Sequence, residues 1–158
     1  MPRLSLPRLF LSFLFCFTAA GIGSLFTFSA IPTWYVALNK PFFNPPNWVF
    51  GPVWTILYTM MAFSLYLVWN SQTKKKEKNE GMNVFFIQLS LNALWSIVFF
   101  GLHSPLLALV IIIILWILIF KTIVIFSKIS KNAGLLLVPY LAWVSFATLL
   151  NTAIAFLN

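Results

Sequence analysis

Leu106–Phe126 reads LLALVIIIILWILIFKTIVIF, an apolar run broken only by Lys121 and Thr122 near its end. An α-helix rises about 1.5 Å per residue, so about 20 such residues cross a hydrocarbon core about 30 Å thick. A helix apolar on every face has no side to offer water. Four more stretches of this kind flank it: Leu9–Phe28, Val49–Trp69, Val84–Phe100 and Leu135–Leu157. The composition agrees, with 61% hydrophobic and 8% charged residues among 158. Soluble domains carry about 25% charged residues. The expected fold is an all-α membrane protein, one five-helix transmembrane bundle over residues 1–158.

The connections set the orientation. With five spans, the amino terminus shares a side with the second and fourth loops. That side holds Arg3, Arg8, Lys74, Lys75, Lys76, Lys78, Lys121, Lys128 and Lys131, and the other holds Lys40 alone. Cytoplasmic loops are enriched in Lys and Arg. The amino terminus and the lysine run are therefore expected in the cytoplasm, and the carboxyl terminus and the long aromatic loop, Ser29 to Trp48, outside. A bacterial cell membrane is favoured over an organelle membrane. Lys121 is expected to snorkel to the cytoplasmic interface. The first span also has the outline of a signal peptide, with Arg3 and Arg8 ahead of an apolar run and then Ala19 and Ala20. Its run is longer than a signal core and stays apolar past the small residues, which favours a span.

The same tally removes several functions. The net charge of +8 flanks membrane spans, so no nucleic-acid partner is expected. Glu77 and Glu80 are the only acidic residues, and both sit beside the lysine run. That excludes paired-carboxylate catalysis and an intramembrane carboxylate relay. One cysteine and one histidine cannot build a metal site within one chain, so no metal is expected. Cys16 reads as packing. His103 reads as a water-exposed turn residue ahead of the alternative of an axial haem ligand.

The remaining signal is aromatic. Trp34–Tyr58 reads WYVALNKPFFNPPNWVFGPVWTILY, with Pro41, Pro45, Pro46 and Pro52 stiffening it. It suits a rigid lid over the bundle and equally an interfacial aromatic belt. Trp54, Tyr58 and Met61 fall on one helix face; so do Asn92, Trp95, Ser96 and Phe99, and so do Tyr140, Trp143, Ala147 and Asn151. An asparagine inside a span should face the bundle. Asn92 and Asn151 are then either hydrogen-bonding glue between helices or amide handles in a flat aromatic cavity for a planar apolar ligand.

These residues also resemble a family. Gly21-Ile22-Gly23-Ser24, Trp34-Tyr35, Lys40-Pro41, Pro45-Pro46, Trp48, Pro52-Val53-Trp54-Thr55, Leu57-Tyr58, Asn92, Trp95-Ser96, Pro139-Tyr140, Trp143, Ala147 and Leu150-Asn151 are similar, in order, to the translocator protein / tryptophan-rich sensory protein (TspO/MBR) family. Only the lysine loop and the fourth span lack distinctive matches. The resemblance implies five transmembrane helices, often as a homodimer. It implies binding of porphyrins and other tetrapyrroles, with protoporphyrin IX or haem as the expected ligand and no required cofactor. The implied pocket positions are Trp34, Trp54, Asn92, Trp95, Trp143, Ala147 and Leu150. The residue faces add Tyr58, Tyr140 and Asn151. If the protein degrades porphyrin in light, the resemblance assigns catalysis to Trp54 and Trp143. A cholesterol motif is absent, since no Lys or Arg follows Tyr140. The expected function is a membrane receptor or sensor regulating tetrapyrrole or stress responses. The alternatives are a light-dependent porphyrin-degrading enzyme and a tetrapyrrole or lipid transporter.

Overall fold

The computed structural model describes residues 4–158; Arg3, one of the nine charges in the tally, lies outside them. Five helices follow one another up and down: α1 Leu6–Ala30, α2 Phe50–Trp69, α3 Lys75–Ser96, α4 Pro105–Ile129 and α5 Lys131–Leu157. A wide π-helical turn, Ile31–Tyr35, extends α1, and another, Ile97–Gly101, extends α3. All five are long and apolar enough to cross a membrane. The chain is an integral multi-pass membrane protein.

Every helix but α2 is longer than its apolar core, which corrects three connections. The loop expected over Ser29–Trp48 begins late, because the helix runs on through Pro32 into the wide turn. A proline ring clashes with the carbonyl four residues back in a regular helix, and a π turn relaxes that geometry. The lysine run is not loop either. Lys75 to Asn83 form the polar first turns of α3. Lys and Glu are good helix formers, and Glu77 sits in the first turn, where the helix end carries partial positive charge. The expected Ser127–Gly134 loop shrinks to Ser130, whose hydroxyl accepts from the Ala133 amide and caps α5.

Packing follows small and apolar residues at a coiled-coil-like spacing. α4 buries Ala108, Ile112, Leu115, Ile119, Thr122 and Phe126. α5 answers with Ala133, Leu137, Tyr140, Val144, Asn151 and Ile154. A spacing of three and four in alternation keeps one seam facing its neighbour along the whole length. At the hairpin, Gly134 lies so close to Ser127 that no side chain fits there. The outward faces are apolar, as lipid requires; α4 exposes Ile113, Ile114, Ile117 and Phe120.

Polar groups finish the ends. At the end that carries the lysine run, Arg8 Nη1 donates to the Trp69 carbonyl at 3.3 Å and to Asn70 Oδ1 at 3.2 Å. Lys78 Nζ donates to Ser71 O at 2.7 Å and Trp69 O at 3.4 Å. Two cations thus meet the exposed carbonyls that close α2, where the helix dipole favours positive charge. At the opposite end Lys40 Nζ donates to the carbonyls of Tyr35, Val36 and Leu38 at 2.8–3.1 Å, fastening the tail of the first span. Lys121 is exposed on α4, two turns from its end, where a long side chain reaches the interface.

Candidate ligand-binding site

The half of the bundle away from the lysine run is hollow. A cavity of about 390 Å³ lies among α1, α2, α3 and α5, with no α4 residue in its wall. Aromatic residues of all four helices line it, among them Phe17 and Phe28 from α1, Phe50 and Trp54 from α2, Trp95 from α3 and Trp143 from α5. None of its described lining residues carries a charge. Both π turns border it, since Ile31, Tyr35, Phe99 and Phe100 all line it. A π turn sets successive side chains back around the axis, which swings bulky rings to one side.

Eight of the ten residues singled out from the sequence meet at this cavity: Trp54, Tyr58, Asn92, Trp95, Trp143, Ala147, Leu150 and Asn151. Trp34 and Tyr140 are elsewhere. Trp34 turns outward, stacked on the His103 ring at 4.5 Å and edge-on to Phe99 at 5.5 Å. His103 is exposed, at a turn with φ 53°, an uncommon left-handed conformation for a residue with a side chain. Tyr140 is fully buried behind the cavity floor.

The floor is a directed chain of hydrogen bonds. Tyr58 Oη donates to Asn92 Oδ1 at 2.7 Å, Asn92 Nδ2 donates to Tyr140 Oη at 2.7 Å, and Tyr140 Oη donates to Gln88 Oε1 at 2.9 Å. Three helices are joined by it. The other asparagine works likewise: Trp95 Nε1 donates to Asn151 Oδ1 at 3.0 Å, and Asn151 Nδ2 donates to the Pro105 carbonyl at 2.8 Å. Of the two readings left open for these amides, both side chains here act as glue between helices. Donors left over among the lining residues are the indole N–H groups of Trp54 and Trp143, the Ser96 hydroxyl and the Asn47 side-chain amide, which make no hydrogen bond among the described residues. The arrangement suits a flat, largely apolar body with a few acceptor atoms at its edge. No cluster of three or more His, Cys, Asp or Glu forms among the described residues.

Sequence reasoning missed the first helix. Ala20, Gly23, Ser24 and Thr27 of α1 supply a smooth side of the cavity. Their hydroxyls bond their own helix, Ser24 Oγ to Ala20 O at 2.7 Å and Thr27 Oγ1 to Gly23 O at 3.0 Å. The signal was available as small residues three and four apart, which mark a face that another group approaches closely.

Comparison with known proteins adds to this geometry. A profile described as the TspO/MBR family matches residues 12–157. The "Tryptophan-rich protein TspO" of Chlorobaculum tepidum is 50% identical over 143 residues, 90% of each chain. The protein of the same name from Archaeoglobus fulgidus is 50% identical over 136 residues, 86% of this chain and 87% of its own. The human "Translocator protein" is 39% identical over 131 residues, 82% of this chain and 78% of its own. With five apolar helices and a match over nearly its whole length, the chain belongs to the TspO/MBR family.

Proposed function

We propose that this protein is a membrane receptor or sensor that takes porphyrins and related tetrapyrroles into the cavity between α1, α2, α3 and α5. The observation that carries the reading is an uncharged aromatic slot with unbonded indole N–H groups among its described lining residues. Relatives named "Tryptophan-rich sensory protein" and "Translocator protein" support a receptor or sensor role. Titration of the purified protein with protoporphyrin IX, in detergent and in lipid, should quench tryptophan fluorescence saturably. Ala147→Trp, which fills the slot from α5, should remove the saturable component. Quenching that rises linearly without saturation in both media would sink the reading.

A second reading is light-dependent porphyrin breakdown. It is favoured by two indoles at the wall whose N–H groups make no hydrogen bond among the described residues, with Trp54 only 5.6 Å from Tyr58 between ring centres. Product formation under light by wild type, lost in Trp54→Phe or Trp143→Phe, would support it; unchanged turnover in both variants would reject these residues. We also place the amino terminus and the lysine run in the cytoplasm, supported by the nine-to-one charge asymmetry. A homodimer accords with the family resemblance, and cross-linking in native membranes would reveal it.

A further inference from the structure

We infer that the ligand enters the cavity sideways, from the hydrocarbon core of the membrane between α1 and α2, and not from water through the aromatic loop. This rests on the cavity being the ligand site. Of the residues that line it, those exposed to the outside come from α1, α2 and the short turn before α2, among them Gly21, Phe28, Gly51 and Thr55. Every lining residue from α3 and α5 is buried or half-buried. The opening therefore lies along one seam, and that seam faces lipid.

The seam is held open by what is missing from it. A side chain added at Gly21 or at Gly51 would meet nothing within 4 Å. Other glycines of this chain are hemmed in: one at Gly23 would meet Ser96, and one at Gly101 would meet Phe26. Deeper in the membrane the seam closes, with Phe13 edge-on to Phe63 at 5.1 Å and Phe17 beside Tyr58 at 6.4 Å. The gap is thus a window in the outer half, level with the cavity.

The outer loop, by contrast, is tied down at three points. Lys40 grips three carbonyls. Tyr35 Oη donates to Asn44 Oδ1 at 2.6 Å. Asn39 and Asn158 exchange a pair of hydrogen bonds, from the Asn39 amide to Asn158 Oδ1 at 2.9 Å and from Asn158 Nδ2 to the Asn39 carbonyl at 3.0 Å. A route through this end must break them, whereas the seam needs no bond broken. The ligand class follows: a planar molecule that dissolves in the membrane first, with its polar edge toward the headgroups.

The test uses the full chain in liposomes and protoporphyrin IX already dissolved in the bilayer, with tryptophan quenching followed by rapid mixing. Gly21→Phe and, separately, Gly51→Leu should obstruct the window. Each should slow association from the bilayer by about tenfold, a barrier change of about 1.4 kcal/mol, and slow dissociation as well. Asn158→Ala combined with Lys40→Met loosens the loop by cutting two of its three ties and should leave both rates as in the wild type. Wild-type rates in both obstructed variants, or faster entry when the loop is loosened, would overturn the lateral route while leaving the binding reading intact. A wild type that shows no saturable quenching ends the binding reading and the route with it.

Discussion

Asn92 on α3 ties together three helices, bonding side chains of α2 and α5. It is almost fully buried, and its amide accepts from Tyr58 and donates to Tyr140 on two other helices. Removing one partner of a buried pair leaves the other without water or protein to bond, which costs about 1–3 kcal/mol. Asn92→Leu strands the Tyr58 hydroxyl and also removes the donor to Tyr140, so its thermal unfolding midpoint in detergent should fall further than that of Tyr58→Phe. A double-mutant cycle between Asn92→Leu and Tyr140→Phe should give a coupling of about 0.6 kcal/mol and no more than about 1.7 kcal/mol, the average and the maximum for hydrogen bonds between membrane helices. An asparagine inside an apolar run announces itself in sequence because lipid cannot satisfy it. Its partners do not, because they depend on how three helices are rotated about their axes. For the same reason Tyr140 shares a face with Trp143 in the sequence yet lies behind the cavity, one layer deeper in the bundle.

At the scale of elements, hydropathy located all five helices and misjudged where they end. It measures what enters the hydrocarbon core, and helices continue beyond it. The polar start of α3 and the π turn after α1 escaped it for that reason. The wide turns leave no residue signature beyond Pro32, and they decide where Tyr35 and Phe99 point. The closure of α2 can be tested at this level. Arg8→Ala with Lys78→Ala leaves the Trp69 carbonyl without its cationic donors. Charges at a helix terminus contribute about 0.3–1 kcal/mol each, so the pair should fray the last turn without unfolding the bundle. Faster hydrogen exchange at Asn70 and Ser71, with exchange in mid-helix unchanged, is the expected result. The α4–α5 hairpin is less forgiving. Gly134→Leu would drive a side chain into Ser127, and overpacking of this kind costs about 1–3 kcal/mol. Its folded yield in detergent should drop, and Ser127→Ala should recover part of it by clearing the oxygen.

For the whole molecule, topology sorts the charges and the cavity to opposite ends. The amino end of α1, the α2–α3 connection and the α4–α5 connection come together at one end by the alternation of helix directions. With Cys16 replaced by serine, a cysteine at Lys76 should react with a membrane-impermeant reagent only after cells are opened. One at Phe42, which is fully exposed in the outer loop, should react in intact cells. The reverse pattern would invert the orientation. The odd number of spans was legible because lipid acts on every residue in turn. The cavity was legible only in part, because its walls are assembled from four helices and its smoothest wall, α1, has small residues whose importance is the space they leave.

The absence of α4 from that wall has a practical side. Its inner edge packs against α5 and α3, and its outer edge is exposed. The helix is a place to write in. Fluorophores, spin labels or tethers attached at Ile113, Ile117 or Phe120 would report on the protein, or fix it to a surface, without entering the space that a ligand would occupy.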